Sequence, residues 1–258
     1  MEAEADREPE TVAAATTAID RARDLLRAGR SIATFSGAGL SAESGIATFR
    51  DKHDPNALWA KFDPMELASP EGFARHPEVV RAWYAWRREG IARAHPNPAH
   101  RALAVRDDLL HITQNVDDLL ERAGASIDRV VHLHGEIAID RCHARCGYEA
   151  RLDLARGSVT VEACPQCAQP VRPGVVWFGE MLPADAWQRA ERACRSCEVL
   201  LVIGTSGVVY PAAGLVIVAK PAGARIVIVN TESSGASELA DVELLGPAGE
   251  IVPRLITE

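Results

Sequence analysis

The chain has 258 residues, of which 47% are hydrophobic and 25% charged, and its formal net charge is −8. The length suits one large core with small insertions, and the acidic balance disfavours a broad nucleic-acid surface while suiting lysine-rich peptide partners. No run approaches the roughly 18 apolar residues of a membrane span, and the acidic start lacks a signal core, so we expect a cytoplasmic protein without membrane or direct nucleic-acid binding.

Short apolar runs alternate with longer helical patterns along the chain. The runs are nearly continuously apolar, as in parallel strands covered on both faces, and they predict strands at 31–35, 109–114, 129–134, 199–204 and 225–230. The predicted helices are 16–28, 76–93, 98–107, 116–123, 184–195, 211–220 and 247–257. This alternation predicts an α/β fold with a Rossmann-like doubly wound parallel sheet.

Two segments interrupt this alternation and divide the chain. Residues 51–95 are rich in helix starts and aromatic residues, and residues 137–175 contain four of the six cysteines. We expect 51–95 to be a cofactor loop with a helical insert, 137–175 a separate small domain, and 1–10 a disordered tail. The Rossmann-like core then consists of 11–50, 96–136 and 176–258. A cleft between this core and the two inserts is the expected substrate site.

The stretch "FSGAGLSAESGIATFRD", residues 35–51, follows the first predicted strand. Gly37, Ala38 and Gly39 begin a match to G-x-G-x-x-G/A, in which backbone N–H groups approach a dinucleotide pyrophosphate at a helix N-terminus. The alternative is a plain tight turn. A Rossmann dehydrogenase also carries an acidic residue at the end of its second strand, about 20 positions on. No such strand end stands there, so we expect Asn230 and Glu232 to contact the ribose, and simple hydride transfer is disfavoured.

Four cysteines form two short pairs, Cys142-x3-Cys146 and Cys164-x2-Cys167, with 17 residues between the pairs. This spacing is typical of a zinc ribbon, in which four thiolates bind one zinc ion tetrahedrally. Because four thiolates leave no open position, the predicted zinc is structural rather than catalytic. His143 is a conceivable ligand, and four buried free thiols are the alternative. We assign a third pair, Cys194 and Cys197, to core packing.

Polar side chains follow two of the predicted strands. Gln114, Asn115 and Asp117 come where the second strand gives way to a helix; a helix cap would use only one of the three. The carboxyl ends of parallel strands form the ligand crevice of such sheets, and an amide ligand needs both donors and acceptors. His132 and His134 are two positions apart and face one side if the strand continues. His134 is therefore predicted to be a general base beside the crevice.

Together these motifs resemble one family, the sirtuins, which are NAD-dependent protein lysine deacylases. The carrying motifs are "GAGLSAESGIATFRD", "TQNVDDLLERAG", "HLHGE", the two cysteine pairs, "VVWFGE", "GTSGVVYPAAG" and "VIVN", which occur in family order along nearly the whole chain. The resemblance implies NAD as co-substrate, one structural zinc ion, and acyl-lysine proteins or peptides as partners. It also implies release of nicotinamide and 2′-O-acyl-ADP-ribose.

The resemblance assigns roles by position. His134 would be the general base, and Asn115 with Asp117 would hold nicotinamide. The residues that would contact NAD are Gly37, Ala38, Gly39, Ser41, Phe49, Arg50, Trp59, Gln114, Asn115, Val116, Asp117, Gly204, Thr205, Ser206, Asn230, Thr231, Glu232 and Ala248. The substrate peptide would join as an added strand, held by Val176, Trp177, Phe178, Gly179, Glu180, Val208, Val209 and Tyr210.

The segment "WYAWRRE" bears on the acyl group. Tyr84 and Arg87 are three positions apart on the predicted helix 76–93, so they share a face. A surface arginine beside a half-buried tyrosine is the ordinary reading of such a pair. The pair also resembles the acyl-pocket signature of class III sirtuins, where a guanidinium and a phenol can bind a carboxylate. We therefore predict removal of succinyl, malonyl and glutaryl groups, with acetyl also processed.

Two departures from the family pattern fall in the cofactor loop: Ala47 stands where many members have Pro, and "DKHDPNALW" replaces a short link containing Gly. They bear on how the loop closes and on the affinity for NAD. The competing functions are protein mono-ADP-ribosyl transfer from the same site and a non-catalytic NAD-sensing module. We expect a monomer.

Overall fold

The computed structural model describes residues 8–48, 62–157 and 160–257. Its strands lie in two sheets. In chain order they are β1 (Ile32–Ser36), β2 (Leu110–Thr113), β3 (Val130–His132), β4 (Gly135–Cys142), β5 (Glu149–Arg151), β6 (Val171–Val175), β7 (Val199–Ile203), β8 (Arg225–Asn230) and β9 (Val242–Leu245). All five strands expected from the apolar runs are present, with ends that differ by one or two residues.

The larger sheet has the order β3-β2-β1-β7-β8-β9, and every neighbouring pair in it is parallel. Strands β1, β2 and β3 follow one another toward one edge of the sheet, and β7, β8 and β9 follow one another toward the other edge. The predicted doubly wound sheet is therefore confirmed, with its switch point between β1 and β7. Ser36 of β1 is in register with Thr113 of β2 and Ile203 of β7, so these three strands end at one level.

The helices of the described residues are α1 (Glu8–Ala28), α2 (Gly39–Ala42), α3 (Pro64–Leu67), α4 (Pro70–Arg75), α5 (Pro77–Arg93), α6 (Pro98–Ala104), α7 (Leu119–Arg122), α8 (Ala184–Ser196), α9 (Gly214–Ala219) and α10 (Ala248–Ile256). Apart from α3, α4 and α5, they pack around the larger sheet, in two apolar layers. One apolar layer joins Leu26 of α1, Leu103 of α6 and Val252 of α10. The other joins α8 and α9 and contains Cys194 and Cys197, in the packing role expected for them. None of the helices among the described residues is long and apolar enough to cross a membrane.

Helix α1, the segment 116–123 and strand β9 differ from the sequence-based prediction. Helix α1 begins at Glu8, inside the stretch 1–10 expected to be a tail and well before the predicted start at 16. The segment 116–123 is helical only over α7, because the residues before it take part in side-chain hydrogen bonds instead of a helical turn: Asp117 accepts the Leu119 N–H at 3.2 Å. Strand β9 was not predicted; it is a short edge strand with an alternating rather than a continuous apolar pattern.

The two inserts pack against each other beside the core. Residues 137–175 contribute to a three-stranded antiparallel sheet of order β5-β4-β6, and the described part of 51–95 forms α3, α4 and α5. Arg88 of α5 and Asp140 of β4 form a buried ion pair with 2.7 Å between Nη2 and Oδ1. Arg88 Nε also donates to the Ile137 carbonyl at 2.8 Å. This pair holds the helical insert against the small sheet.

Candidate active site

Glycine contacts bring the ends of β1 and β7 together at the switch point. The Gly37 N–H donates to the Ile203 carbonyl at 3.0 Å, and the Gly39 N–H donates to the Gly204 carbonyl at 2.9 Å. A Cβ at Gly39 would lie 2.6 Å from Gly204 Cα, which no side chain can tolerate. Gly204 itself has φ +58, in the left-handed region that favours glycine. In the predicted glycine loop, the backbone of Gly37 and Gly39 therefore packs directly against the backbone that follows β7. Helix α2 starts at Gly39.

Polar side chains from α2 and from the loop after β2 meet beside these glycines. Asn115 Nδ2 donates to the Gly37 carbonyl at 3.0 Å and to Ser41 Oγ at 3.1 Å. The Ser41 hydroxyl in turn donates to Asp117 Oδ2 at 3.0 Å. Burial raises the pKa of Asp117, while the Leu119 N–H and the Ser41 hydroxyl act in the opposite direction. The predicted nicotinamide residues and the predicted phosphate loop thus form one hydrogen-bonded unit.

His134 lies in the turn after β3 and beside this unit. Strand β3 ends at His132, so His134 is held by its own contacts rather than by strand pairing. Its Nδ1 is 3.0 Å from the Gln114 carbonyl oxygen, which can only accept, so Nδ1 carries the proton and Nε2 keeps a lone pair. Burial lowers the pKa of His134, against the effect of that hydrogen bond. A neutral imidazole with a free Nε2 lone pair can act as a general base.

The residues predicted for the adenosine half gather at the ends of β7 and β8. Gln114 Nε2 donates to Thr205 Oγ1 at 3.0 Å, and Asn230 Nδ2 donates to the Thr205 carbonyl at 3.1 Å. The side chains of Ser206, Thr231 and Glu232 are exposed at the same edge. Ala248 is buried at the start of α10, and the next N–H, that of Gly249, donates to Glu43 Oε2 at 2.6 Å. The residues predicted to bind the nicotinamide side and those predicted to bind the adenosine half are therefore adjacent, joined by the Gln114–Thr205 hydrogen bond.

Tyr84 and Arg87 share the face of α5 that turns toward the core. Tyr84 is 2% exposed, and its hydroxyl oxygen accepts the indole N–H of Trp177 at 2.8 Å. The Arg87 guanidinium carbon lies 4.9 Å from the centre of the Trp83 ring and 5.5 Å from that of Tyr84. Burial lowers the pKa of Arg87, while Tyr84 and Asp117 act in the opposite direction. Tyr84 is thus buried in an aromatic cluster, and the half-buried Arg87 guanidinium packs on two of its rings.

The two segments predicted to hold a peptide differ in exposure. In the first, the Val176 N–H donates to the His134 carbonyl and the Phe178 N–H to the Ala68 carbonyl, both at 2.8 Å. The Trp177 and Glu180 side chains point into the protein, where Glu180 Oε2 also accepts the Trp177 N–H at 3.0 Å. The backbone N–H groups of Val176, Trp177 and Phe178 are therefore used within the protein.

In the second segment the side chains face outward. Val208 is 57% exposed and Tyr210 is 67% exposed, and Val209 between them is half-buried. Gly179 of the first segment is exposed as well and has φ +84. Large apolar side chains at this exposure suit a surface that a peptide covers.

The four cysteines of the small sheet come together at one point. The sulfur atoms of Cys142, Cys146, Cys164 and Cys167 all lie within 4.8 Å of one another. Cys142 Sγ is 3.4 Å from Cys167 Sγ, and Cys146 Sγ is 3.5 Å from Cys164 Sγ. Four clustered sulfurs are the donor set of a closed tetrahedral site, so these cysteines could bind one structural zinc ion. His143 is outside the set: its ring packs on Phe73, with 5.1 Å between the centroids.

A protein-family model described as "Sir2 family" matches residues 37–211, which contain both the glycine loop and the cysteine cluster. The chain belongs to the Sir2 family. NAD-dependent protein deacylase 2 of Pyrobaculum aerophilum is 48% identical over 239 residues, covering 91% of this chain and 93% of that protein. The NAD-dependent protein deacylase of Pseudomonas putida is 43% identical over 247 residues, 92% of each chain.

Solved Sir2 structures share the fold over the same range. A Sir2 homologue in complex with NAD matches with a TM-score of 0.84 at 42% identity, covering 92% of each chain. A Sir2 complex with a p53 peptide and NAD⁺ matches with a TM-score of 0.77 at 31% identity, covering 90% of this chain and 94% of that one. This Sir2-family chain is an NAD-dependent protein deacylase, which consumes NAD to remove acyl groups from lysine.

Three residues predicted to contact NAD, namely Phe49, Arg50 and Trp59, lie outside the described residues. So does the segment "DKHDPNALW", in which the sequence departs from the Sir2 family pattern. The remaining predicted NAD residues are all described, and they line the carboxyl edge of β1, β2, β7 and β8 or its immediate continuation. One contact of the site was not predicted: Glu43 of the loop caps the first turn of α10. No motif marks that pairing, because 206 positions separate Glu43 from Gly249.

Proposed function

We propose that this Sir2-family enzyme removes acidic acyl groups (succinyl, malonyl and glutaryl) from lysine, in addition to acetyl. The observation that carries the proposal is the position of the Arg87 guanidinium, which stacks on Trp83 and Tyr84 within a buried aromatic cluster. The guanidinium is half-buried beside the fully buried Tyr84 phenol, so a carboxylate on the end of an acyl chain that reached it would be bound in a site partly screened from water.

Tyr84 supplies the second group for that carboxylate. Burial raises the pKa of the phenol, so it stays protonated and can donate its O–H. Its oxygen already accepts the Trp177 N–H, which leaves the hydroxyl proton for another acceptor. A guanidinium and a phenol on one helix face can therefore bind a carboxylate through several charge-assisted hydrogen bonds. Acetyl groups lack this contact but still fit beside the same rings.

For the chemistry, we propose that His134 Nε2 accepts a proton from the NAD ribose after the acyl oxygen has displaced nicotinamide. Acyl-lysine, NAD and water then yield lysine, nicotinamide and 2′-O-acyl-ADP-ribose. The neutral state of His134 and the hydrogen bond that holds its Nδ1 proton support this role. Asn115 and Asp117 would hold the nicotinamide side, and acyl-lysine peptides would join as a strand beside 176–180 and 208–210.

The test is a panel of one peptide carrying acetyl-, malonyl-, succinyl- or glutaryl-lysine, incubated with NAD and followed by mass spectrometry. Arg87→Met should lower kcat/KM for the succinyl peptide far more than for the acetyl peptide, by an amount equivalent to roughly 2–5 kcal/mol of transition-state binding. Arg81→Met is the matched control, because Arg81 lies on α5 over the Phe73 ring but donates to the Glu162 carbonyl of the small domain.

Equal losses on acetyl and succinyl peptides in Arg87→Met would contradict the acyl-pocket role. The same spectra separate deacylation from mono-ADP-ribosyl transfer. Deacylation yields O-acyl-ADP-ribose and free lysine, whereas transfer yields a protein or peptide heavier by one ADP-ribose.

A further inference from the structure

His132 and Glu121 form a partly buried pair next to the residues proposed to hold nicotinamide. Nδ1 of His132 lies 2.9 Å from the Asn115 carbonyl oxygen, and Nε2 lies 2.8 Å from Glu121 Oε1. The pair joins the end of β3 to helix α7 and to the loop between β2 and α7. Neither residue belongs to the set predicted to contact NAD or substrate.

The partners of His132 determine its protonation. A carbonyl oxygen accepts hydrogen bonds and never donates them, so Nδ1 must carry a proton. The Glu121 carboxylate is likewise an acceptor, so Nε2 must carry one too. A ring with two donating nitrogens is an imidazolium. His134, two positions on, has the opposite arrangement, with one acceptor at Nδ1 and a free lone pair at Nε2.

We propose that His132 is a positioning residue that is charged at neutral pH and that, with Glu121, fixes the Asn115 carbonyl and thereby the geometry of the NAD site. The Asn115 side chain bridges the Gly37 carbonyl and Ser41 Oγ, so a shift of its backbone moves contacts of the phosphate loop as well. His132 acts through Asn115 and touches neither reacting group. The proposal rests on the proposed role of Asn115 at the nicotinamide side of the site, and it is independent of the acyl group.

The surroundings of His132 favour its charged form. Burial alone would lower the pKa of His132, but the hydrogen bond and charge of Glu121 outweigh burial and raise the pKa to about 9. Glu136 of β4 acts in the same direction, and His132 in turn favours the ionised form of Asp117. For Glu121, burial would raise the pKa, and the His132 contact lowers it instead. The shared proton therefore resides on the imidazole and not on the carboxyl group.

Cations near the pair are occupied elsewhere. Arg141 and Arg189 line the same cleft of about 390 Å³ between the core and the small sheet. Arg141 donates to the Val175 carbonyl at 3.2 Å and to Glu180 at 3.1 Å, and Arg189 donates to the Asp128 carbonyl at 2.6 Å. Glu121 Oε2 is buried and has no hydrogen-bond partner within the described ranges, so His132 is the direct ionic contact of this carboxylate there. Arg151, which pairs with Glu136 at 2.6 Å, acts on Glu121 only through space. Loss of His132 would leave a partly buried carboxylate without its cation.

The direct test is nuclear magnetic resonance of the full chain labelled with ¹⁵N-histidine at pH 7.5, with His132→Gln used for assignment. Two protonated ring nitrogens on His132, beside a singly protonated His134 in the same spectrum, are expected. In Glu121→Gln the amide can donate to Nε2, so that nitrogen should lose its proton. A singly protonated His132 in the unaltered protein would overturn the proposal. This measurement needs no substrate, so its outcome does not depend on the proposed acyl specificity.

The functional test uses an acetyl-lysine peptide, so that failure of the acidic-acyl proposal leaves it intact. His132→Gln and Glu121→Gln should each raise KM for NAD on the order of tenfold and weaken inhibition by nicotinamide, with KM for the peptide unchanged. The double variant should be no worse than either single one, because the two residues act as a unit.

His111→Gln is the matched control for lost stability. His111 is a buried histidine of β2 that contacts Thr34 Oγ1 at 3.0 Å, away from the NAD edge. It should leave KM for NAD unchanged. An unchanged KM for NAD in both pair variants, or an equal rise in His111→Gln, would overturn the positioning role.

Discussion

The indole N–H of Trp177 donates to the phenol oxygen of Tyr84 at 2.8 Å, across 93 positions of sequence. The contact joins the segment that precedes the exposed Gly179 to the helix that carries Arg87. Because Trp177 occupies the acceptor side of the phenol, it sets the direction in which Tyr84 can donate. The proposed acyl pocket and the proposed peptide strand are therefore linked through one hydrogen bond.

Replacing Trp177 by Phe should impair desuccinylation more than deacetylation. The change removes the hydrogen bond that orients the Tyr84 hydroxyl, worth about 1 kcal/mol, so kcat/KM for a succinyl peptide should fall roughly fivefold relative to an acetyl peptide. The measurement is the ratio of the two kcat/KM values. Trp86→Phe is the control, because Trp86 is 51% exposed on the same helix as Tyr84. A ratio unchanged in Trp177→Phe would show that the phenol needs no orienting partner.

His134→Tyr should abolish turnover, with a loss of roughly 10²–10⁴-fold for a removed general base, while the fold and the zinc content persist. Thermal unfolding and zinc analysis of the same sample check the second half of this statement. His95→Tyr is the control, since His95 is exposed. Substantial turnover in His134→Tyr would refute the assignment of the base.

The pH profile of the unaltered enzyme tests the same residue. In the proposed general-base role the neutral form of His134 is the active one, and burial lowers its pKa from the usual 6.5. Activity should therefore be level near neutral pH and should fall only when the pH drops through that lowered pKa. The acid limb of kcat/KM should lie below pH 6.5 and should be absent from the residual rate of His134→Tyr. If the acid limb of kcat/KM lay above pH 6.5, burial could not be the dominant influence on the pKa of His134.

Cys164→Ser should remove the zinc ion, whereas Cys194→Ser should retain it. Cys164 belongs to the four-sulfur cluster, and Cys194 is packed between α8 and the larger sheet. Elemental analysis should find one zinc per chain in the unaltered protein and in Cys194→Ser. Activity should fall with the zinc, because β6 leads directly from the small sheet into the proposed peptide segment. Retained zinc in Cys164→Ser would remove this cysteine from the ligand set.

Glu180→Ala should lower stability and weaken peptide binding together. The Glu180 side chain is 7% exposed and pairs with Arg172, Arg141 and Arg145, of which Arg172 is 1% exposed. Removing one partner of a buried ion network costs roughly 3–5 kcal/mol, since the arginines are left uncompensated. Urea unfolding measures that loss, and KM for the peptide should rise while KM for NAD stays constant. Glu149→Ala, on the exposed edge of β5, should change neither.

Much of the fold was predictable because it depends on local patterns. Apolar runs of five or six residues between helical patterns identify five of the six strands of the larger sheet. The glycines after β1 favour a close backbone approach. The spacing of the two cysteine pairs likewise predicts a tetrahedral zinc site without reference to the rest of the fold. Strand β9 was missed because an edge strand needs no continuous apolar run. The early start of α1 was missed because its first residues belong to the acidic stretch "MEAEADREPE", which was expected to be a tail.

The partners of the site residues were not predictable in the same way. Glu180 was assigned to the peptide groove from its motif, yet its side chain points inward to three arginines. Glu121 carries no motif of its own, and its pairing with His132 follows from the meeting of α7 and β3. Such pairings depend on distances between elements, which a sequence pattern does not contain.

The contact between Gly39 and Gly204 restricts how this enzyme can be redesigned. A Cβ at Gly204 would lie 2.5 Å from the Gly39 carbonyl carbon, and one at Gly39 would meet Gly204 equally closely. Neither wall of the proposed phosphate cradle can be reshaped by a side chain, and a compensating second mutation has no atom left to remove. Engineering toward a 2′-phosphorylated dinucleotide should therefore begin at Thr231 and Glu232, which are proposed to contact the adenosine half and whose side chains are exposed beyond β8. A basic residue can be introduced at these positions without disturbing the contact between Gly39 and Gly204.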